Sequence, residues 1–201
     1  MPRGPRIDYP ELLHHVIVRG IERKKIFSEK EDYENFLYRF GNVLKESETK
    51  VYAWALLPNH FHVLICIKKK PLKVIMRRLL TGYALSYNRR HKRVGYLYQG
   101  RYKSIVCEEE PYLLELVRYI HLNPLRARMV KTMEVLDRYM WCGHSVIMGN
   151  HDVEWQDVRE ILCRFGGGLS GARKKYREFI VDGISEGKRK DLTGGGLIRS
   201  L

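Results

Sequence analysis

The chain has 201 residues, 44% of them hydrophobic, enough for one substantial core with at most a small appendage. Lys and Arg number 37 against 23 Asp and Glu, a formal net charge of +14 with an isoelectric point near 9.7, which points to a polyanionic partner, nucleic acid ahead of a membrane surface. The opening MPRGPRIDYPELL has no apolar signal core, the run Val63–Ile67 is too short to span a bilayer, and Cys66, Cys107, Cys142 and Cys163 form no CxxC pair, so a soluble cytoplasmic, nucleoid-associated protein with reduced thiols is expected.

The first element is a β-branched strand, His14–Gly20. Ser28 and Glu31 then match the S-x-x-E capping box, and Tyr33, Phe36, Leu37, Phe40, Val43 and Leu44 recur at helical spacing up to about Glu46. Lys50–Leu57 reads as a second strand, Pro58-Asn59 as a turn, and His60–Ile67 as a third strand closing a hairpin. Within it His60 and His62 share one strand face. Spacing alone leaves two readings open there: a two-nitrogen claw for a metal, or two half-exposed histidines after a turn.

Pro71 occupies a first helical position, and Leu72, Ile75, Met76, Leu79, Leu80, Tyr83 and Tyr87 give the helix that follows one apolar face, with Lys73, Arg77, Arg78, Arg89, Arg90, Lys92 and Arg93 on or just after it. Tyr96–Cys107 reads as a fourth strand interrupted at Gly100, and a further helix begins near Pro111. The order strand, helix, strand, strand, helix, strand predicts the split βαβ, ferredoxin-like α+β fold, an antiparallel sheet with helices on one face. In the last helix Tyr119 and Asn123 lie one turn apart, and Pro124 requires a kink or stop near Asn123. Asn-Pro is also a good start for a new helix, and Tyr119 could simply be a tyrosine at the rim of the core.

Composition changes near Gly149. Val153–Phe165 and Ala172–Ile184 read as two short amphipathic helices joined by FGGGLSG, which sets a division into residues 1–148 and a helical, glycine-rich extension, 149–201, expected to modulate binding while being dispensable for chemistry.

The phrases LLPNHFHVLI, QGRYKS and RYIHLNPLRARMV, in this order, resemble the REP-associated tyrosine transposases, an IS200-like branch of the HUH single-strand nuclease superfamily, over about Tyr9–Gly149. The resemblance implies that His60, His62 and Asn123 hold a divalent metal, Mg²⁺ or Mn²⁺, and that Tyr119 is the nucleophile of a transposase that nicks and rejoins single-stranded DNA near hairpins through a phosphotyrosine. Arg19, Arg101, Lys103 and Arg126 flank these phrases as candidates for phosphate contacts, with Tyr102 or Trp54 available to stack on a base. His14, His15, His121 and His144 receive no site role. The protein would act as a monomer or homodimer on single-stranded or hairpin DNA. The competing reading is a binding module without catalysis, because RNA-recognition domains share this topology. Their RNP phrase is absent here, and a binding module needs neither the paired histidines nor Tyr119.

Overall fold

The computed structural model describes residues 11–107, 110–187 and 198–199, leaving most of the closing DLTGGGLIRSL outside the described residues. In chain order the elements are β1 (Leu13–Arg19), α1 (Lys30–Ser47), β2 (Lys50–Leu57), β3 (His60–Cys66), α2 (Leu72–Arg90), β4 (Lys103–Cys107) and α3 (Glu110–His121). Short helices α4 (Asn123–Arg126), α5 (Met133–Asp137), α6 (Gly143–Met148) and α7 (Val158–Leu162) follow, then α8 (Leu169–Asp182) and a short strand β5 (Ile198–Arg199). The sheet order is β2-β3-β1-β4-β5, antiparallel through β4, with β5 added in parallel. This is the expected α+β, ferredoxin-like arrangement.

Strand alternation splits the core in two. Val16, Val18, Phe61 and Val63 face α1 and α2, the two helices of the split βαβ unit, which lie on one face as expected. Ala55, Leu64 and Cys66 face the other way, into a cluster with Leu116 and Ile120 of α3 and residues of the C-terminal helices. The sheet is therefore covered on both faces, and the helix beginning at residue 110 lies opposite α1 and α2. The cause is visible in β2 and β3, which are buried along nearly their whole length; a strand of continuous apolar residues needs a cover on each side.

Two local readings are corrected. The capping carboxylate of α1 is Asp32, which accepts from the Ser28 and Glu29 backbone N–H groups at 2.9 and 3.1 Å, while the Ser28 hydroxyl lies 2.8 Å from Tyr87 Oη. The fourth strand begins at Lys103 rather than Tyr96, because residues 97–99 bond instead to the end of β1: Ile21 N–H donates to Leu97 O and Gln99 N–H to Arg19 O, both at 3.0 Å. Before Pro124 the helix stops, one of the two outcomes expected, with α3 ending at His121 and α4 starting at Asn123.

Packing shows no gap at Met148. Ile161, Leu162, Ala172, Tyr176 and Ile180 are buried in the same cluster as α3. The outer edge of β2 is covered from the same direction, since Leu56 N–H donates to Trp141 O (2.9 Å), Asp157 N–H to Val51 O (2.8 Å) and Trp54 Nε1–H to Gln156 Oε1 (2.7 Å). Covering an edge in this way removes an exposed row of unpaired backbone groups. Among the described residues no helix is long and apolar enough to cross a membrane.

Candidate active site

Register decides which residues join His60 and His62. In the antiparallel pairing of β1 with β3, Arg19 lies opposite His60, Ile17 opposite His62 and His15 opposite Leu64, so Arg19, Ile17 and His15 share the histidine face. Lys103 of β4 lies opposite Ile17 and extends the same row. α3 crosses this face and brings Tyr119 down on it within one chain. The Tyr119 ring meets His62 edge-on with centroids 5.8 Å apart and His15 at 6.1 Å, and the His60 and His62 rings are 5.2 Å apart.

Hydrogen bonds fix the free nitrogen of each histidine. Asn59 Nδ2 donates to Arg23 O at 3.1 Å, which turns its Oδ1 toward His60 Nδ1, 2.7 Å away. His60 Nδ1 must therefore carry the proton, leaving a lone pair on Nε2. His62 Nδ1 lies 2.9 Å from His15 Nε2, and when His62 is the donor its Nε2 is likewise left open. Burial, followed by the charge of Arg19, pushes His60 down to about 4. Burial pushes His62 well below its ordinary value, with His15, His60 and Arg19 adding to it. Both imidazoles are thus neutral, the form that binds a cation.

The donor set fits a divalent ion. Two imidazoles sharing an ion through bonds of about 2.1 Å have ring centres about 5 Å apart, close to the observed 5.2 Å. Their Nδ1 groups are held by outer partners, as ligating histidines require. Among the described residues no three His, Cys, Asp or Glu side chains cluster to hold a metal, and the third expected ligand, Asn123, is of none of these types. Asn123 is buried, and its Nδ2 donates to Tyr119 O at 3.1 Å, which leaves Oδ1 for a ligand.

The flanking cations divide. Arg19 and Lys103 are exposed on the histidine face. Arg126 sits with its guanidinium carbon 5.5 Å from the Tyr119 ring centroid while donating to Gly183 O at 3.1 Å, so it holds the tyrosine as well as lying near it. Arg101 is exposed in the approach to β4, with no ion pair among the described residues. Neither proposed stacking residue is available: Trp54 is fully buried and Tyr102 is 7% exposed.

Sequence reasoning passed over two features. The first is His15, whose role depends on the pairing of β1 with β3 and cannot be read from a single strand. The second is a buried network that ties α8 to α3. His144 Nε2–H donates to Asp137 Oδ1 (2.8 Å), so neutral His144 presents a lone pair at Nδ1 to the Tyr176 hydroxyl (3.0 Å), whose oxygen in turn accepts from His121 Nδ1–H (2.7 Å). Burial lowers the pKa of both histidines. Glu186 also pairs with Arg118, so the chain from 176 to 186 touches residues 118, 121 and 126, on both sides of Tyr119.

Comparison with known proteins gives a family and a related fold. The family model of the IS200-like transposases matches residues 8–123. No curated protein matches the chain. A solved structure of a REP-associated tyrosine transposase bound to a REP hairpin superposes with a TM-score of 0.61 at 13% identity, over 78% of this chain and 98% of that one. A transposase-like protein of Deinococcus radiodurans R1 gives a TM-score of 0.41 at 16% identity, over 60% of this chain and 95% of that one.

Proposed function

This chain belongs to the IS200-like transposase family, and from that premise we propose that it is a metal-dependent single-strand DNA endonuclease and strand transferase of the REP-associated kind, with Tyr119 as its nucleophile. The observation that carries the proposal is the contact of the Tyr119 ring with His62, beside His60, inside one chain. The solved relative is bound to a REP hairpin, and we extend a hairpin with adjoining single strand to this chain as its substrate.

His60 Nε2, His62 Nε2 and Asn123 Oδ1 would hold the divalent ion, which when bound neutralises and orients the oxygens of the scissile phosphate. The chain's own residues do the rest. Arg19 and Lys103, at the ends of adjacent rows of the histidine face, hold neighbouring phosphates as point charges. His15 accepts from His62 Nδ1–H and so keeps the Nε2 lone pair directed outward. Arg126, packed on the Tyr119 ring and anchored to Gly183 O, restricts the ring's position and supplies positive charge beside a side chain that must lose its proton to attack. Tyr119 Oη bonds to phosphorus as the bond to the leaving deoxyribose oxygen breaks. The tyrosine proton passes to water and the leaving oxygen takes one up. The phosphotyrosine retains the energy of the phosphodiester, so a second strand's hydroxyl reverses the step and rejoins DNA.

The test is covalent capture. Incubation with a hairpin oligonucleotide carrying a single-stranded tail and Mn²⁺ should give a denaturation-resistant adduct that maps to Tyr119. Tyr119→Phe should bind the DNA and form no adduct. Cleavage by the Phe variant would make water the nucleophile, and absence of any adduct or cleavage in the parent protein would favour the competing reading, a binding protein of the same fold.

A further inference from the structure

The segment from His91 to Tyr102, between α2 and β4, presents an aromatic ring to solvent from a fixed backbone. Tyr96 is 84% exposed and Val94 97% exposed, although the turn that carries them is held on both sides. Leu97, one residue on, is 2% exposed. Ile21 N–H donates to Leu97 O, Gln99 N–H donates to Arg19 O, and Tyr98 bridges to Gly20. On the near side Asn88 Nδ2 donates to Gly95 O at 2.9 Å, and Gly95 adopts φ +96°, a conformation that side-chain-bearing residues rarely take. Single exposed apolar residues are ordinary on protein surfaces; a ring aimed outward by a buried neighbour, a bridged strand end and a glycine turn is less so.

Charge identifies what the ring would meet. No Asp or Glu occurs between Glu48 and Glu108. Arg89, Lys92 and Arg101 are exposed, and none of them makes an ion pair among the described residues. The platform also has a fixed relation to the candidate active site, because Tyr98 bridges to Gly20, next to Arg19, and Arg19 lies opposite His60. Summing the steps along the chain and across the pairs puts the Cα of Tyr96 at most about 22 Å from that of His60.

We propose that Tyr96 is a stacking platform for an unpaired base of the DNA strand that leads to the scissile phosphate, with Arg89, Lys92 and Arg101 following the backbone of that strand. The partner is single-stranded because a stacked duplex shows a protein only base edges and phosphates, whereas an unpaired base offers a face to the ring. The identity of the strand rests on the proposed function; the stacking itself does not require cleavage.

Binding of the full chain to a hairpin oligonucleotide with an unpaired tail, and to the same hairpin without one, is measured by fluorescence anisotropy. Tyr96→Ala should weaken binding of the tailed hairpin about 5- to 150-fold and leave the blunt hairpin and the melting temperature unchanged. Tyr96→Trp should restore affinity. With 2-aminopurine moved along the tail, one position should be quenched by the parent protein and relieved by Tyr96→Ala. Joint replacement of Arg89, Lys92 and Arg101 by Ala should reduce the salt slope of tail binding by about 2. Equal loss on both hairpins, or no loss on either, would overturn the platform. Failure of the Tyr119 adduct would leave these binding contrasts intact, so the two proposals fail separately.

Discussion

Tyr176→Phe removes one oxygen from the centre of the α3–α8 junction. In the parent that oxygen accepts from His121 Nδ1–H at 2.7 Å and donates to His144 Nδ1 at 3.0 Å, and all three side chains are fully buried. The variant keeps the ring and its volume, so no cavity term enters. It leaves one buried donor and one buried acceptor unpaired, at about 1–3 kcal/mol each, for a total of about 2–6 kcal/mol. At about 2–4 °C per kcal/mol for a chain of this size, the melting temperature should fall by roughly 4–24 °C, with urea unfolding giving the matching free energy. His121 is two residues beyond Tyr119, so looser seating of this helix end should also slow adduct formation. Displacement of a reacting group by 1 Å can cost about 100-fold, and a 10- to 100-fold loss at temperatures well below melting is expected. A stability change under about 0.5 kcal/mol would refute the network as a structural tie. A large stability change with an unaltered adduct rate would refute its link to the proposed nucleophile.

A chain ending at Met148 loses Tyr176, Ile161 and Ile180 from the cluster that covers Leu116 and Ile120; it should show no cooperative thermal transition, and a stable folded product by circular dichroism would contradict this. His15→Phe keeps a ring over His62 but removes the acceptor at 2.9 Å. Mn²⁺ affinity, measured by calorimetry on the DNA-free protein, should drop about 10- to 100-fold, and an unchanged affinity would leave His15 a core residue only. His121 and His144 are held neutral by burial in the folded state but protonate near pH 6.5 when unfolded, so stability is complete above that pH and falls below it until the folded pKa values are reached. Each can remove up to about 1.4 kcal/mol per pH unit, so unfolding in urea should be easier at pH 5.5 than at 7.5 by up to about 3 kcal/mol from this pair, and a flat profile would count against the neutral network.

Local periodicity made most of the fold legible. The alternation in HFHVLIC and the spacing from Tyr33 to Leu44 each describe one element meeting one apolar surface, and such patterns survive without knowledge of the partner. What was not legible depended on pairing between distant residues. QGRYKS looked like strand because its residue types suit one, yet residues 97–99 bond to Arg19 and Ile21, so Tyr102 turns inward and Tyr96 outward. Asp32, an acceptor for two backbone N–H groups and 2.9 Å from His91 Nε2, won the capping position from Glu31 because it joins two helices at once. His15 carries no signal of its own until β1 is set antiparallel to β3 in register.

The division between α1/α2 and α3/α8 also explains why the site and the C-terminal residues cannot be treated separately. A split βαβ unit with both its helices on one face leaves the other face bare, and there His60 and His62 would be hydrated and titrate near 6.5. Burial is the leading cause that lowers both pKa values, and on this side the cover comes from α3 and its neighbours. α3 in turn rests on α8 so closely that a Cβ added at Gly183 would come within 2.5 Å of Arg118 Cδ. The carbonyl of the same glycine anchors Arg126 over Tyr119. Displacement of the α8 end therefore reaches the proposed nucleophile through Arg126 and the two histidines through their solvent exposure, which couples seating of the C-terminal helix to the ability of His60 and His62 to stay neutral.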